Sequence, residues 1–363
     1  MNGILNRSGG TDPSDMKKTL RLIVGLSGIV HASDLLAEVA DGTVTRLSPT
    51  EVQLRWTGAT QVDVLRRSYD RSVPEQCLVT SHNNSSLLVK DDGIPALYVI
   101  RDVTDGSQIV ASERIVPLTQ GSNFRDVGGY RTSDGKRVRW GMIFRSGGQP
   151  QLSDRDLEIV KSLKLRRIID LRSREERSIA PTRIDEVPYE AVGYSFTTLV
   201  PAGTPTPASG GVYNGFASLL APHLRIITRN ILSGETPLVF NCSAGQDRTG
   251  FVAAILLAAI GVERDDIERD YLASTGFRQP QYEMPALDPQ TVSADSVAMF
   301  FARAQQSPDW LRPKPLVTSS GEPLIRIAMR DVEARWGSVE NYLKAEVGLS
   351  DSELQRLRAI LSD

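Results

Sequence analysis

The sequence predicts a small all-β sandwich over residues 40–118, followed by an α/β domain over 119–363 whose central, mostly parallel sheet is flanked by helices. Short strands of alternating polar and apolar residues, separated by turn residues, predict the sandwich. A strand, a helix and a second strand in succession predict the parallel sheet, because such a crossover joins parallel strands. The chain of 363 residues is long enough to form both hydrophobic cores.

The composition excludes several classes of function. A net charge of −2, from 42 basic and 44 acidic residues, provides no basic surface for nucleic acid. The two cysteines, Cys77 and Cys242, supply no disulfide framework, and the three histidines are scattered. We therefore expect no metal ion, no other cofactor and no nucleic-acid partner. The apolar run after Thr249 has about half the length that a bilayer requires, so no membrane span is expected.

The leader, residues 1–39, contains the three zones of a secretory signal peptide at residues 16–32. A basic segment that starts at Met16 precedes an apolar run, and Val30 and Ala32 occupy the small-residue positions before a cleavage site. This pattern predicts a periplasmic or secreted protein. The alternative is a first strand or helix that docks on the following domain of a cytoplasmic protein.

Short strands are predicted at regular intervals in the first domain, at residues 43–47, 51–56, 61–66, 77–80, 86–90, 96–101 and 108–116. Alternation in the second of them places Val52, Leu54 and Trp56 on one face. Cys77 is predicted to be a buried strand residue. The pattern resembles a fibronectin type III or immunoglobulin-like module. None of its residues is arranged for catalysis.

The second domain contains a predicted strand–helix–strand unit whose two strands are parallel. Residues 142–146 predict a strand, a helix capped by Ser153 follows, and residues 166–171 predict the next strand. Asp170 and Arg172 lie at the carboxyl end of that strand, where ligands bind in open α/β sheets. Two interpretations are open for this pair. It supplies a general acid and a phosphate contact, or it forms an ion-pair network that holds the strand end.

The segment from Leu238 to Gly250 carries the chemistry, because an apolar strand leads directly into Cys242, five loop residues, Arg248 and a helix that is apolar on every side. A cysteine beside a helix N-terminus and a fixed cation is favoured as the reactive thiolate. Loop amides and the positive end of the helix suit a phosphate, and Arg248 adds a two-pronged donor. Gly245 is expected to take a positive φ in this loop. The predicted substrate-binding residues of the loop are Ser243, Ala244, Gly245 and Gln246.

This loop resembles the C-x5-R-[ST] signature of the cysteine-dependent phosphatases, and among them the bacterial tyrosine and dual-specificity phosphatases, whose loop reads HCxAGKDRTG. The segment NFRDVGGY at 123–130 resembles their NFRDLGGY, and DLRSREER at 170–177 resembles their DLRSxxER. The histidine and lysine of the family's loop are Asn241 and Gln246 here. The resemblance covers about residues 116–363 and implies a cysteine-phosphatase fold.

The resemblance implies phosphomonoester hydrolysis through a phosphocysteine intermediate, without a metal. Cys242 is the expected nucleophile and Arg248 the phosphate ligand, while Thr249 is expected to donate to the leaving sulfur. Asp247 is the first candidate for the general acid and Asp170 the second. Phosphorylated proteins are the expected substrates. Phosphoinositides or inositol polyphosphates are one alternative, and an inactive phosphate-binding module is another.

Two positions refine this expectation. Gln246 is expected at the mouth of the pocket, where a lysine would add charge for a second phosphate, so singly phosphorylated substrates such as phosphotyrosine are favoured. Arg125 is expected either to pair with its neighbour Asp126 or to face the phosphate.

The remaining segments carry less specific predictions. Glu175 and Glu176 are expected to be solvated charges at the start of a helix. Residues 201–216, rich in Pro and Gly, predict a mobile loop that is a candidate lid. Residues 279–315 look like a proline-rich insertion around one short helix. Ser350 begins a capping box for the last helix.

Overall fold

Two antiparallel sheets form a sandwich at the start of the described chain. The computed structural model describes residues 39–199 and 211–363, so the predicted signal peptide and most of the candidate lid lie outside the described residues. The seven strands are β1 (Asp41–Ser48), β2 (Glu51–Thr57), β3 (Val62–Ser68), β4 (Gln76–His82), β5 (Ser86–Lys90), β6 (Ala96–Asp102) and β7 (Gln108–Ser112). One sheet has the order β1-β2-β5 and the other β4-β3-β6-β7.

Alternation along the strands builds the core of this sandwich. Val52, Leu54 and Trp56 are buried on the inner face of β2, as their spacing predicts. In the constant-type immunoglobulin arrangement the fourth strand joins the sheet of the first two strands, whereas β4 here pairs with β3. The expectation that Cys77 is buried is wrong, because β4 is an edge strand on which this side chain is exposed.

A five-stranded sheet forms the centre of the second domain, in the order β11-β10-β12-β9-β8. Its strands are β8 (Arg125–Asp126), β9 (Ile143–Ser146), β10 (Arg167–Asp170), β11 (Tyr189–Ala191) and β12 (Leu238–Asn241). All neighbours pair in parallel except β8, which is antiparallel at one edge. The mostly parallel sheet confirms the predicted α/β fold class.

Helices cover both faces of this sheet. They are α1 (Asp154–Ser162), α2 (Arg174–Ile179), α3 (Phe196–Leu199), α4 (Phe216–Leu232), α5 (Asp247–Ala259), α6 (Arg264–Phe277), α7 (Ser296–Gln305), α8 (Ile325–Trp336), α9 (Val339–Tyr342) and α10 (Asp351–Leu361). On β12, Leu238 and Phe240 face the core formed with α4 and α5, whereas Val239 faces the core formed with α1. Within the described ranges, no helix combines the length and the apolar composition that crossing a bilayer requires.

The helix α5 begins where β12 and the loop end. Eleven of its thirteen residues are buried, as its uniformly apolar sequence predicts. Capping boxes at Ser153 and Ser350 begin α1 and α10, which confirms both predicted helix starts. The parallel order of β10, β12 and β9 brings their carboxyl ends to one edge of the sheet. The positive end of α5 lies at the same edge, so strand ends and helix dipole meet at the loop.

Candidate active site

Hydrogen bonds from outside hold the carbonyl groups of the loop that follows Cys242. Ser243 O accepts from Gly148 N at 2.8 Å, Ala244 O from Asn123 Nδ2 at 3.1 Å, and Gly245 O from Asn123 Nδ2 at 2.8 Å and Arg145 Nη2 at 2.9 Å. Within residues 39–199 and 211–363, the amides of residues 243–246 donate to no backbone acceptor. The acceptors of the loop are therefore occupied while its donors remain available for an anion.

Gly245 allows the loop its tight curve. Its φ is +66°, which confirms the predicted left-handed conformation. A Cβ at this position would lie 2.6 Å from the backbone of Ser146 and Gly147, so no larger residue fits without moving the loop. Gly250, in the first turn of α5, makes room for Tyr271 on α6, whose ring lies 2.6 Å from the position of a Cβ.

A buried carboxylate holds Arg248 in one orientation. Its Nη1 and Nη2 donate to the two oxygens of Glu176 at 2.8 and 2.7 Å, and Nη1 also donates to the Tyr194 hydroxyl at 2.7 Å. A guanidinium has five N–H groups, so among the described residues the Nε–H and one N–H on Nη2 remain without an acceptor. These two groups share one edge, and that edge matches two phosphate oxygens.

Glu176 lies in the interior, and the expectation of a solvated charge at this position is wrong. The residue is 1% exposed, because it accepts from the Ser173 amide in the capping box of α2 while it contacts Arg248. Its Oε1 also accepts from the Ser243 hydroxyl at 2.6 Å. Burial alone would raise the pKa of Glu176, but the charge of Arg248 and these hydrogen bonds lower it to about 2. The carboxylate is therefore ionised at neutral pH.

Asp247, the first candidate for the general acid, begins α5 and lines the same cavity as Cys242. Its Oδ1 accepts a hydrogen bond from the Tyr213 hydroxyl. The Tyr213 hydroxyl in turn lies 2.7 Å from the Tyr271 hydroxyl. An acid and a nucleophile that act on one phosphate must line the same cavity, and Asp247 and Cys242 meet this requirement.

Gln246 does not lie at an open pocket mouth. It is 3% exposed, and its Oε1 accepts from Arg278 Nη1 at 2.9 Å. Glu283 holds Arg278 through two hydrogen bonds of 2.7 and 2.8 Å. Burial would lower the pKa of Arg278, but the hydrogen bond and charge of Glu283 raise it. A guanidinium with its own counter-ion therefore stands beside residue 246.

Asp170 and Arg172 form a buried ion pair at the end of β10. Arg172 Nε lies 3.0 Å from each Asp170 oxygen, and its Nη1 donates to Ala180 O at 2.7 Å. Neither residue lines the cavity with Cys242. Burial would raise the pKa of Asp170, but the charge and hydrogen bonds of Arg172 lower it. This is the ion-pair interpretation, and an ionised carboxylate away from the cavity does not suit a general acid.

Arg125 lies behind the loop, and it does not pair with Asp126. Successive strand residues face opposite sides of a sheet, which separates these neighbours. Arg125 donates to Asp270 and to Ser274 Oγ at 2.9 Å, while Asp126 accepts from the Gly128 and Gly141 amides. Arg125 is fully buried, so the structure places it in the support of the loop and away from the phosphate position.

Two polar residues of the segment 238–250 are buried, and each has a side-chain atom without a hydrogen-bond partner among the described residues. Thr249 Oγ1 has no hydrogen-bond partner among the described residues, so its predicted bond to the sulfur is not formed in this state. Asn241 Nδ2 donates to Cys242 O at 3.4 Å, and its Oδ1 is likewise without a partner in the described part of the chain. The hydroxyl of Thr249 is therefore available to a sulfur that becomes a leaving group.

A cavity of about 300 Å³ opens above Cys242. One side is polar and is formed by the loop, Arg248 and Arg278. Four aromatic side chains also line the cavity and are here called the aromatic wall: Phe196 on α3, Phe300 and Phe301 on α7, and Trp310. The three phenylalanine rings have centroids 5.3 to 5.4 Å apart, and Phe300 is 43% exposed. Residues of the segment 279–315 thus form part of the cavity lining.

Several residues of the site escaped the sequence prediction: Glu176, Tyr194, Tyr213, Arg278, Glu283 and the aromatic wall. Only Glu176 had a usable signal, since Ser173 three positions before it forms the S-x-x-E pattern of a capping box. Among the described residues, no three His, Cys, Asp or Glu side chains cluster in a way that would hold a metal ion.

Comparison with known proteins agrees with this geometry. The sequence profile of the tyrosine phosphatase family matches residues 116–363. A Cupriavidus necator protein, provisionally named a tyrosine-protein phosphatase, is 32% identical over 246 residues, which cover 64% of this chain and 84% of that protein. The triple specificity protein phosphatase PtpB of Mycobacterium tuberculosis is 27% identical over 278 residues, which cover 66% and 96%. Because the profile spans the sheet, the loop and the aromatic wall together, the chain belongs to the tyrosine phosphatase family.

Proposed function

We propose that this protein hydrolyses phosphotyrosine in protein substrates through a phosphocysteine intermediate. The proposal rests on which hydrogen-bonding groups of the loop after Cys242 are already paired and which are available. Its carbonyls are engaged from outside, whereas its amides and one edge of Arg248 are available. Donors fixed before reaction stabilise the charge that develops on the phosphoryl oxygens, and they do so without reorganisation.

In the first step the Cys242 thiolate attacks phosphorus and forms an S–P bond. The bond from phosphorus to the tyrosine oxygen breaks, and that oxygen takes a proton from the Asp247 carboxyl group. The products of this step are tyrosine, the phosphocysteine and an Asp247 carboxylate. Arg248 and the loop amides bind the equatorial oxygens throughout.

In the second step a water molecule attacks the phosphocysteine. The Asp247 carboxylate takes one proton from this water, the S–P bond breaks, and inorganic phosphate leaves. The electron pair returns to Cys242 as a thiolate, and we expect the hydroxyl of Thr249, which has no partner among the described residues, to stabilise it. We propose that no metal is required, because the open edge of Arg248 and the loop amides supply fixed hydrogen-bond donors for the phosphoryl oxygens.

The aromatic wall supports phosphotyrosine as the substrate. Phe196, Phe300 and Trp310 offer apolar surface beside Cys242, and an aromatic leaving group gains from stacking against such rings. A phosphoserine side chain is shorter and has no ring to contact them. The ion pair of Arg278 and Glu283 adds little net charge, which gives a second phosphate on the substrate little advantage.

The test is turnover of a phosphotyrosine peptide by the full chain, compared with phosphoserine peptides and inositol phosphates. We expect the phosphotyrosine peptide to have the highest kcat/KM, with no loss in the presence of a chelator. Cys242→Ser should abolish turnover and still bind phosphate, since the loop and Arg248 remain. Hydrolysis by that variant would contradict the covalent mechanism.

We also propose that residues 16–32 direct export, with cleavage after Ala32. The support is the order of basic, apolar and small residues in the sequence. Mass spectrometry of the protein expressed in a bacterial host decides the point. An uncleaved terminus in the cytoplasmic fraction would assign the protein to the cytoplasm.

A further inference from the structure

We infer that Tyr213 is a positioning residue for the general acid, whose hydroxyl holds Oδ1 of Asp247 so that the transferred proton lies on Oδ2. The inference rests on the proposed function, because it assigns a role only if Asp247 protonates the leaving group. Its basis is a chain of hydrogen bonds that runs from Tyr271 through Tyr213 to Asp247.

The chemical nature of the three groups determines which one donates in each hydrogen bond. A carboxyl oxygen that carries no proton only accepts hydrogen bonds, so the Tyr213 hydroxyl donates its single hydrogen to Asp247 Oδ1. The contact of 2.7 Å between the two phenols must then have Tyr271 as its donor and Tyr213 as its acceptor. Each bond in such a chain polarises the next, which strengthens the donation to Asp247.

Packing holds both phenols in place. Tyr213 and Tyr271 are 0% and 1% exposed, and the Tyr213 ring packs on Phe216 with the centroids 4.9 Å apart. The Tyr271 ring fills the space that the missing side chain of Gly250 leaves, in the first turn of α5. Burial raises the pKa of both phenols, so their protons are retained at neutral pH and the chain does not lose its donors.

The consequence concerns the two oxygens of one carboxyl group. Oδ1 is occupied by Tyr213, so a proton that reaches Asp247 from the cavity binds Oδ2. When that proton moves to the leaving oxygen, Tyr213 stabilises the carboxylate that forms. The benefit therefore appears only for substrates whose leaving group needs a proton.

Tyr213→Phe removes the hydroxyl and keeps the ring. We expect kcat/KM for phenyl phosphate to fall roughly tenfold to a hundredfold, the range for loss of a hydrogen bond to a charged group. For dinitrophenyl phosphate, whose leaving group is stable as an anion, we expect a change of less than about threefold. Tyr271→Phe should shift the same ratio in the same direction by a smaller factor. The ratio of the two substrates is independent of how much of each variant is folded.

Tyr342→Phe is the matched control, because its buried hydroxyl donates to Ala217 O at 2.7 Å in the same core and does not contact Asp247. It should leave the substrate ratio unchanged. An unchanged ratio in Tyr213→Phe, beside a large change in Asp247→Asn, would overturn the role of Tyr213 and leave the proposed function intact. An unchanged ratio in Asp247→Asn itself would overturn both the acid assignment and this inference, while Cys242-dependent turnover would still support a phosphatase.

Discussion

Replacing Glu176 by glutamine tests the orientation of Arg248. The variant keeps the size of the side chain and removes the charge that Nη1 and Nη2 contact at 2.8 and 2.7 Å. The pKa of Glu176 falls from an ordinary 4.5 to about 2 in the folded protein. A depression of about 2.5 pKa units corresponds to about 3 kcal/mol, and loss of one partner of a buried pair costs about as much. We therefore expect Glu176→Gln to lower the free energy of unfolding by about 3 kcal/mol at pH 7.

The sign of the pH dependence follows from the depressed pKa. The contribution of Glu176 is fully present above the unfolded pKa of 4.5 and is lost as the pH falls towards about 2. Urea unfolding between pH 7 and pH 3 should therefore show a steeper loss of stability in the wild type than in Glu176→Gln. We expect kcat/KM to fall about a hundredfold as well, since a small displacement of Arg248 misplaces the phosphate.

Glu175→Gln is the matched control, because it removes a charge from the same turn of α2 without contacting Arg248. Phosphate provides a second check. An oxyanion restores a negative partner for Arg248, so phosphate should stabilise Glu176→Gln more than the wild type. The reasoning fails if Glu176→Gln keeps wild-type kcat/KM, or if it loses no more stability than Glu175→Gln.

Three further substitutions test other parts of the site. Gln246→Lys places an ammonium beside the guanidinium of Arg278, so we expect a lower melting temperature. The double variant Gln246→Lys, Arg278→Gln should recover the melting temperature, because the lysine then has Glu283 as its partner. Gly245→Ala should abolish phosphate binding measured by calorimetry and lower stability by more than about 2 kcal/mol, since a Cβ would lie 2.6 Å from backbone atoms. His223 is buried on α4, and its ring lies 6.1 Å from the ring of Tyr194, which contacts Arg248. Burial, followed by the charge of Arg248, lowers the pKa of His223 from 6.5 to about 4. Wild-type stability should therefore fall as the pH drops from 6.5 to 4, and His223→Leu should remove that fall in urea unfolding.

The sequence predicts those parts of the site that depend on neighbours along the chain. Five loop residues separate Cys242 from Arg248, so the spacing alone indicates a phosphate-binding loop. The left-handed Gly245, the buried helix α5 and the inner face of β2 follow from equally local rules. The tyrosine phosphatase family was identified on the same residues, and the family comparison confirms it.

Contacts between distant segments could not be predicted in this way. Glu176 and Arg248 are 72 positions apart, and nothing in either segment identifies the other as its partner. Local rules also misled where two charged residues are adjacent in the sequence. Arg125 and Asp126 have opposite charges and are adjacent, yet the pleat of β8 turns them to opposite faces, where Arg125 finds Asp270.

The buried ion pairs around the cavity orient the guanidinium groups and add almost no net charge to the cavity. Glu176 neutralises Arg248, and Glu283 neutralises Arg278, so the two pairs together contribute almost no net charge to the cavity. Each carboxylate binds one edge of a guanidinium and thereby fixes the orientation of the remaining N–H groups. Attraction of a phosphate to Cys242 then depends on aligned donors and on the dipole of α5, which act over short distances. We therefore expect selectivity at this site to follow the shape of the anion and to depend only weakly on ionic strength.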